Sequence, residues 1–398
     1  MEQCDFNKKY FVILGGGGIR GLSYIGAYKY FLENNFDLTG FAGSSIGAVF
    51  ASLICVGYNP YELQKLIEDT NFKNLFSDLN IGFKKEVAFS KGNHFLEWIR
   101  EKIEQKFYFE NYKKGKMPPV TFKDIKKKLV IFSVNLTNFK LVEFSNQKTP
   151  DFEIASAIRA SVSMPGLFVP FEVKDNLLVD GDLIKSTPLW RLSDSIKNLD
   201  ERIIEFRLED TVVKPEISNT IEYINRVYNA ICGFATDYLI DLYSEKDKFE
   251  YIKIDTPNVS VVDFLIPQEK KNELSDIGYN CTKNYFENTF PQKKSKLKEK
   301  YNCLLAKLLS FQKEFLKKNV INCHLELCEI FFFLCCEKRV LDTKIYDMIC
   351  SFKHDFDLNY ANNINFLGIR RAYLKNKDDL NLKLLEVIKT VSEKTQGR

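Results

Sequence analysis

Hydrophobic and polar positions alternate with two different periods along this chain, and the change of period marks its elements. Tyr10–Leu14 is a short unbroken apolar run that stops at glycines, the pattern of a buried strand. Leu22–Leu32 carries apolar residues at helical spacing. Leu38–Ala42 is a second short apolar run, and Ile46–Val56 is small and apolar, as for a helix packed on a sheet. Strand, glycine turn, helix, strand, glycine turn, helix predicts an α/β start with a parallel sheet. Pro60–Phe107 reads as largely helical, with Leu96, Ile99 and Ile103 on one face. Strands are expected at Lys128–Val134 and Leu141–Phe144, joined through Thr137-Asn138, then at Leu177–Val179, Ile203–Arg207 and Tyr251–Ile254. Helices are expected at Phe152–Ala160, Ile217–Leu242 and Asp276–Phe286.

After Phe290 the texture changes. PQKKSKLKEK reads as a charged, linker-like stretch, and beyond it Leu304, Leu308, Phe311 and Phe315 share a helical face. This places a boundary near Pro291: a first domain over 8–290 and a helical C-terminal extension over 291–398. Phe331-Phe332-Phe333 suggests a helix that is apolar around most of its circumference, expected to be buried.

The 398 residues suffice for one large core and an accessory unit, and 45% hydrophobic with 28% charged residues is a globular composition. A net charge of +4 favours an anionic surface only mildly and argues against a nucleic-acid binder. The ten cysteines form no CxxC or zinc spacing. With no secretory leader visible, this points to an intracellular, cytoplasmic protein with free thiols. No run reaches the roughly 18 apolar residues of a transmembrane helix.

The candidate chemistry lies in the two glycine turns. Gly43-Ser44-Ser45-Ile46-Gly47 follows a short strand and opens a helix, as a G-x-S-x-G nucleophile elbow requires. The small Gly43 and Gly47 let strand and helix approach while Ser45 is pushed out. Gly16, Gly17 and Gly18 end the previous strand, and their N–H groups would suit an oxyanion. The same glycines, with Gly21, also match the dinucleotide pattern. That pattern wants an acid ending the second strand, where Ala42-Gly43-Ser44 stands. Arg20 either orients an anionic group or pins the first helix.

A serine nucleophile needs a base. The three histidines, His94, His324 and His354, lie in a polar turn and in the helical tail, not after strands. Asp180 follows Leu177-Leu178-Val179 and precedes Gly181, a carboxylate presented at a strand end. Partial burial would raise its pKa and make it a better base.

The glycine turn, the GSSIG elbow and Asp180-Gly181 together resemble the three motifs of patatin-like phospholipases. SKGNHFLEWI, LVIFSVNLTNFKLVEFS, IRASVSMPGLFVPFEV, STPL and LSDIGY resemble further segments, so the likeness spans about 8–290. It implies a three-layer α/β/α sandwich with a mostly parallel sheet. It also implies a Ser45–Asp180 dyad without histidine, an oxyanion hole from Gly16, Gly17 and Gly18, and lipid acyl hydrolysis at a membrane surface without metal or organic cofactor. Two positions depart from the family: Gly15, where many members carry Asp or Ser, and Asp182, where Gly or Ala is usual. Two other readings stay open. One is a Ser-His-Asp esterase with His324 or His354 as base. The other is an inactive relative that binds lipid or a partner protein, for which Asp182 is the motive. Phe168, Phe171, Trp190 and the basic Lys293–Lys300 stretch are candidates for contact with lipid.

Overall fold

The computed structural model describes residues 9–78, 88–184, 201–209, 217, 223, 249–317, 320–337, 340–360 and 366–396, apart from 258 and 262. The expected helix at 217–242, apart from 217 and 223, and the STPL segment with Trp190 lie outside the described residues. The chain divides into two compact units that part at Tyr285/Phe286.

The first unit opens as the hydrophobic pattern predicts. Strand β1 (Lys9–Leu14) leads into a 3-10 turn over Gly18–Leu22 and helix α1 (Ser23–Glu33). Strand β2 (Asp37–Ser44) leads into α2 (Ile46–Cys55). The Pro60–Phe107 region is helical in part: α3 (Pro60–Asp69), α4 (Phe72–Leu75) and α5 (Asn93–Tyr108), with a short strand β3 (Ala88–Ser90) between the last two. Strands β4 (Lys128–Asn135) and β5 (Lys140–Ser145) form a hairpin, followed by α6 (Ile154–Ser161). Then come β6 (Gly166–Phe168), β7 (Phe171–Val173), β8 (Asn176–Asp180), β9 (Glu201–Glu209), β10 (Phe249–Asp255) and α7 (Gln268–Asn284).

Eight strands form one mixed sheet in the order β10-β9-β1-β2-β4-β8-β7, with β5 paired to β4. β10, β9, β1, β2 and β4 are mutually parallel; β5 and β8 pair antiparallel with β4, and β7 pairs antiparallel with β8. β3 and β6 pair separately. β1 and β4 are buried after their first residue, and β2 and β9 at most positions, as Phe11, Ile13, Phe41, Ile131, Ile204 and Phe206 show. That is why they read as unbroken apolar runs.

The register around β4 positions the site. β5 occupies one edge of β4 from Val130 to Asn135. β2 must therefore use the other edge, where Ser44 pairs with Phe132. β8 joins that same edge further along, where Asp180 pairs with Ser133. β2 and β8 thus run toward each other and meet end to end at two consecutive residues of β4.

In the second unit PQKKSKLKEK is not a linker. It lies within the long helix α8 (Phe290–Leu316), with Pro291 in the first turn, where its missing N–H costs nothing. Leu297 and Tyr301 continue the face made by Leu304, Leu308, Phe311 and Phe315, and the lysines between them cover the outside. α9 (Val320–Glu337), α10 (Thr343–Tyr360) and α11 (Phe366–Thr395) complete the unit. α9 buries Cys323, Leu327, Ile330 and Leu334, while Phe332 is 75% exposed, so this helix is one-sided rather than buried all round. The thiols divide likewise: Cys55 and Cys323 are buried, while Cys303, Cys328, Cys335 and Cys336 are exposed.

Candidate active site

Ser45 sits between β2 and α2 at φ 53°, ψ −126°, a conformation that costs a non-glycine residue on the order of 1–3 kcal/mol. Three contacts hold it there. Its carbonyl accepts from the Ala48 N–H at 3.0 Å, which starts α2. Its own N–H donates to Ser161 Oγ at 2.9 Å, and that hydroxyl donates to Phe132 O at 2.6 Å. The flanking glycines allow the crossing. A Cβ on Gly47 would lie 2.0 Å from Leu14 O, and one on Gly43 would lie 2.3 Å from Gly47 O. Gly21 packs against Ile46, and Gly181 against the Phe132 carbonyl.

The Ser45 hydroxyl donates to Asp180 Oδ2 at 2.6 Å. Asp180 is buried at the end of β8, with its N–H bonded to Ser163 O at 3.0 Å. Ser161, the last residue of α6, and Ser163 just beyond it therefore fix the backbone of both members of the pair. Burial pushes the Asp180 carboxyl up to about 7, the neighbouring Asp182 carboxylate adds to the rise, and the Ser45 hydroxyl opposes it. A carboxylate so poised can take a proton near neutral pH.

The first glycine turn faces this pair. The Gly15 N–H is used by the sheet, bonding Phe206 O at 3.1 Å. The Gly16 N–H donates to Asp182 Oδ1 at 3.2 Å. Gly17 and Gly18 keep amides with no hydrogen-bond partner among the described residues. Gly18 has φ 56°, and a Cβ there would meet Val261 O at 1.9 Å. The next two residues anchor the turn. Ile19 N–H donates to Val261 O at 3.1 Å, and buried Arg20 donates from Nε to Val259 O at 2.6 Å. Arg20 thus pins the turn to the segment after β10.

His94 lies in the first turn of α5, exposed, beside Ser77 Oγ at 3.0 Å; His324 and His354 lie on exposed faces of α9 and α10. Phe168 is core, stacked on Phe76 and lying over the buried Arg159 guanidinium, which also touches the Phe171 ring. Two supports escape sequence reasoning. Ser161 looks like any helical serine, and Arg207 looks like any strand arginine, yet it reaches Asp182 Oδ1 at 3.1 Å from β9.

Residues 12–192 match the patatin-like phospholipase family. The mixed, mostly parallel sheet flanked by helices is that of the patatin fold. YqhO of Bacillus subtilis, an uncharacterized protein, is 25% identical over 288 residues, which span 68% of this chain and 95% of that one. R571 of Acanthamoeba polyphaga mimivirus is 26% identical, spanning 68% of this chain and 91% of its own. The probable lipid hydrolase 463L of Invertebrate iridescent virus 6 is 26% identical over 46% of this chain and 64% of its own. Among solved structures, VipD from Legionella pneumophila superposes with a TM-score of 0.48 at 15% identity, covering 98% of this chain and 88% of that one. Among the described residues, no helix is long and apolar enough to cross a membrane.

Proposed function

We propose that this chain is a serine lipid acyl hydrolase of the phospholipase A type, acting through a Ser45–Asp180 dyad. The supporting observation is the 2.6 Å bond from the Ser45 hydroxyl to a buried carboxylate, made beside the Gly17 and Gly18 amides, which have no partner among the described residues. In this reading Asp180 takes the serine proton as Oγ attacks the ester carbonyl. The carbonyl oxygen becomes an oxyanion facing the N–H groups of Gly17 and Gly18. Collapse breaks the bond to the alcohol, which leaves with the proton returned by Asp180, and the acyl group stays on Ser45. Water then enters. Asp180 takes its proton, the acyl–serine bond breaks, and the fatty acid leaves while serine is reprotonated. No step requires a metal or organic cofactor.

The substrate class comes from the family match: a phospholipid or other acyl-lipid, met at a membrane surface by peripheral contact. Residues 8–290 would carry the activity, and 291–398 would form a helical extension. The test is fatty acid release from mixed phospholipid vesicles by wild type, Ser45→Ala and Asp180→Ala. Release by wild type and loss in both variants is the expected result. Undiminished release by Ser45→Ala would end the serine mechanism. Retention in a His324→Ala/His354→Ala double variant would exclude a histidine base.

A further inference from the structure

Asp182 lies two residues beyond the proposed base, yet it turns back into the site. Its Oδ1 accepts from three different segments: the Gly16 N–H of the first glycine turn at 3.2 Å, the Ser44 hydroxyl at the end of β2 at 3.3 Å, and Arg207 Nη1 on β9 at 3.1 Å. Its own N–H donates to Asp180 Oδ1 at 2.7 Å, the oxygen that Ser45 leaves free. The fit is close: a Cβ on Gly16 would lie 2.6 Å from Asp182 Cβ. Arg207 is buried and also bonds Glu205 Oε1 at 2.9 Å from Nε. Burial works against its charge, but Glu205 and Asp182 outweigh that and hold it protonated.

We propose that Asp182 is a positioning residue, a single carboxylate that ties the Gly16 turn, the serine elbow and the Asp180 loop together and reserves the oxyanion for Gly17 and Gly18. The proposal rests on the Ser45–Asp180 reading. The geometry makes it more than an ion pair: a partner for Arg207 alone would not need to reach Gly16 and Ser44. Charge gives it a second effect. Among the described residues, the groups facing Asp182 include Asp180, Arg207, Glu205 and the Tyr24 hydroxyl, which is itself bonded to Gly15 O at 2.8 Å. Asp182 adds negative charge beside Asp180 and so delays its ionisation.

Two variants and two readouts test this on the full chain. Asp182→Ala removes the tie. Exchange of the Gly16 amide, read by NMR on ¹⁵N-glycine-labelled protein, should quicken at least tenfold, while Gly15, bonded to the sheet, stays unchanged. Asp182→Asn keeps an acceptor and loses the charge. Gly16 protection should persist, and the acid limb of Ser45 labelling by a fluorophosphonate should move about one pH unit lower. Unchanged Gly16 exchange in Asp182→Ala overturns the proposal, and so does an unmoved acid limb in Asp182→Asn, since a merely structural residue would shift only the melting temperature. A wild type that takes no fluorophosphonate counts against the serine reading instead, and Gly16 exchange still decides the tie.

Discussion

The two units bury different things. The core of the second unit is apolar throughout: Leu304, Phe311, Phe315, Ile330, Leu384 and Val391 are fully enclosed, and none of its buried described residues is charged. The first unit buries Arg20, Arg159, Asp180, Arg202, Glu205, Arg207 and Glu250. Enclosing a charge is costly unless it is paired and hydrogen-bonded. Here most of these charges have defined partners: Arg202 with Glu250, Arg207 with Glu205 and Asp182, and Arg159 with four backbone or hydroxyl oxygens. Asp180 differs, since its partners are a serine hydroxyl and an amide and another carboxylate stands nearby. The described core of the helical unit is held by apolar packing, whereas the α/β unit also buries paired charges, and one such set, Arg207, Glu205 and Asp182, lies beside Asp180.

That contrast can be broken by mutation. The largest effect is expected from Ser45→Ala or Asp180→Ala, which should lower ester turnover by roughly 10⁴-fold with the fold intact by circular dichroism. Next, Phe311→Ala should destabilise the second unit by about 3–5 kcal/mol in denaturant unfolding. The fluorophosphonate labelling rate of Ser45 should not change in that variant under native conditions. A fall in labelling would mean that the helical unit bears on the site.

Asp180→Asn should act in the opposite sense on stability. A carboxyl whose folded pKa is raised to about 7 contributes stability that is full below the unfolded value and is lost as pH rises to 7. Asparagine removes that loss, so the inactive variant should be more stable than wild type at pH 8, by on the order of 2–4 kcal/mol. Equal melting temperatures at pH 8 would contradict the burial argument. The smallest effect is the pH profile. Activity should fall tenfold per unit below about pH 7 and level off above it, because only ionised Asp180 can accept the proton. A flat profile between pH 5 and 8 would mean a base that titrates elsewhere.

The sheet was legible because its strands are buried on both faces and so appear as continuous apolar runs; β1, β2 and β4 fall where the pattern puts them. The elbow was legible because two close backbone crossings demand glycine at Gly43 and Gly47. The start of α8 was not. Its lysines and proline look like a linker until Leu297 and Tyr301 are seen to continue the buried face of the residues that follow. The role of Asp182 was also hidden. A carboxylate after Asp-Gly reads as a departure from pattern, and its partners come from distant segments: Gly16 and Ser44 far upstream and Arg207 from 25 residues downstream. Pairing between distant strands leaves no local trace in composition or periodicity.

The end-to-end meeting of β2 and β8 on β4 has an arithmetic consequence. The end of β2, one residue before the nucleophile, and the base are set one peptide repeat apart on a third strand, about 3.3 Å. Strand pairing comes only in whole residues, so this spacing has no graded intermediate. Sliding β8 by one position along β4 would turn Asp180 to the opposite face of the sheet and put Val179 or Gly181 in its place. The pair is either in register or absent, and drift in the surrounding side chains cannot wear it away gradually.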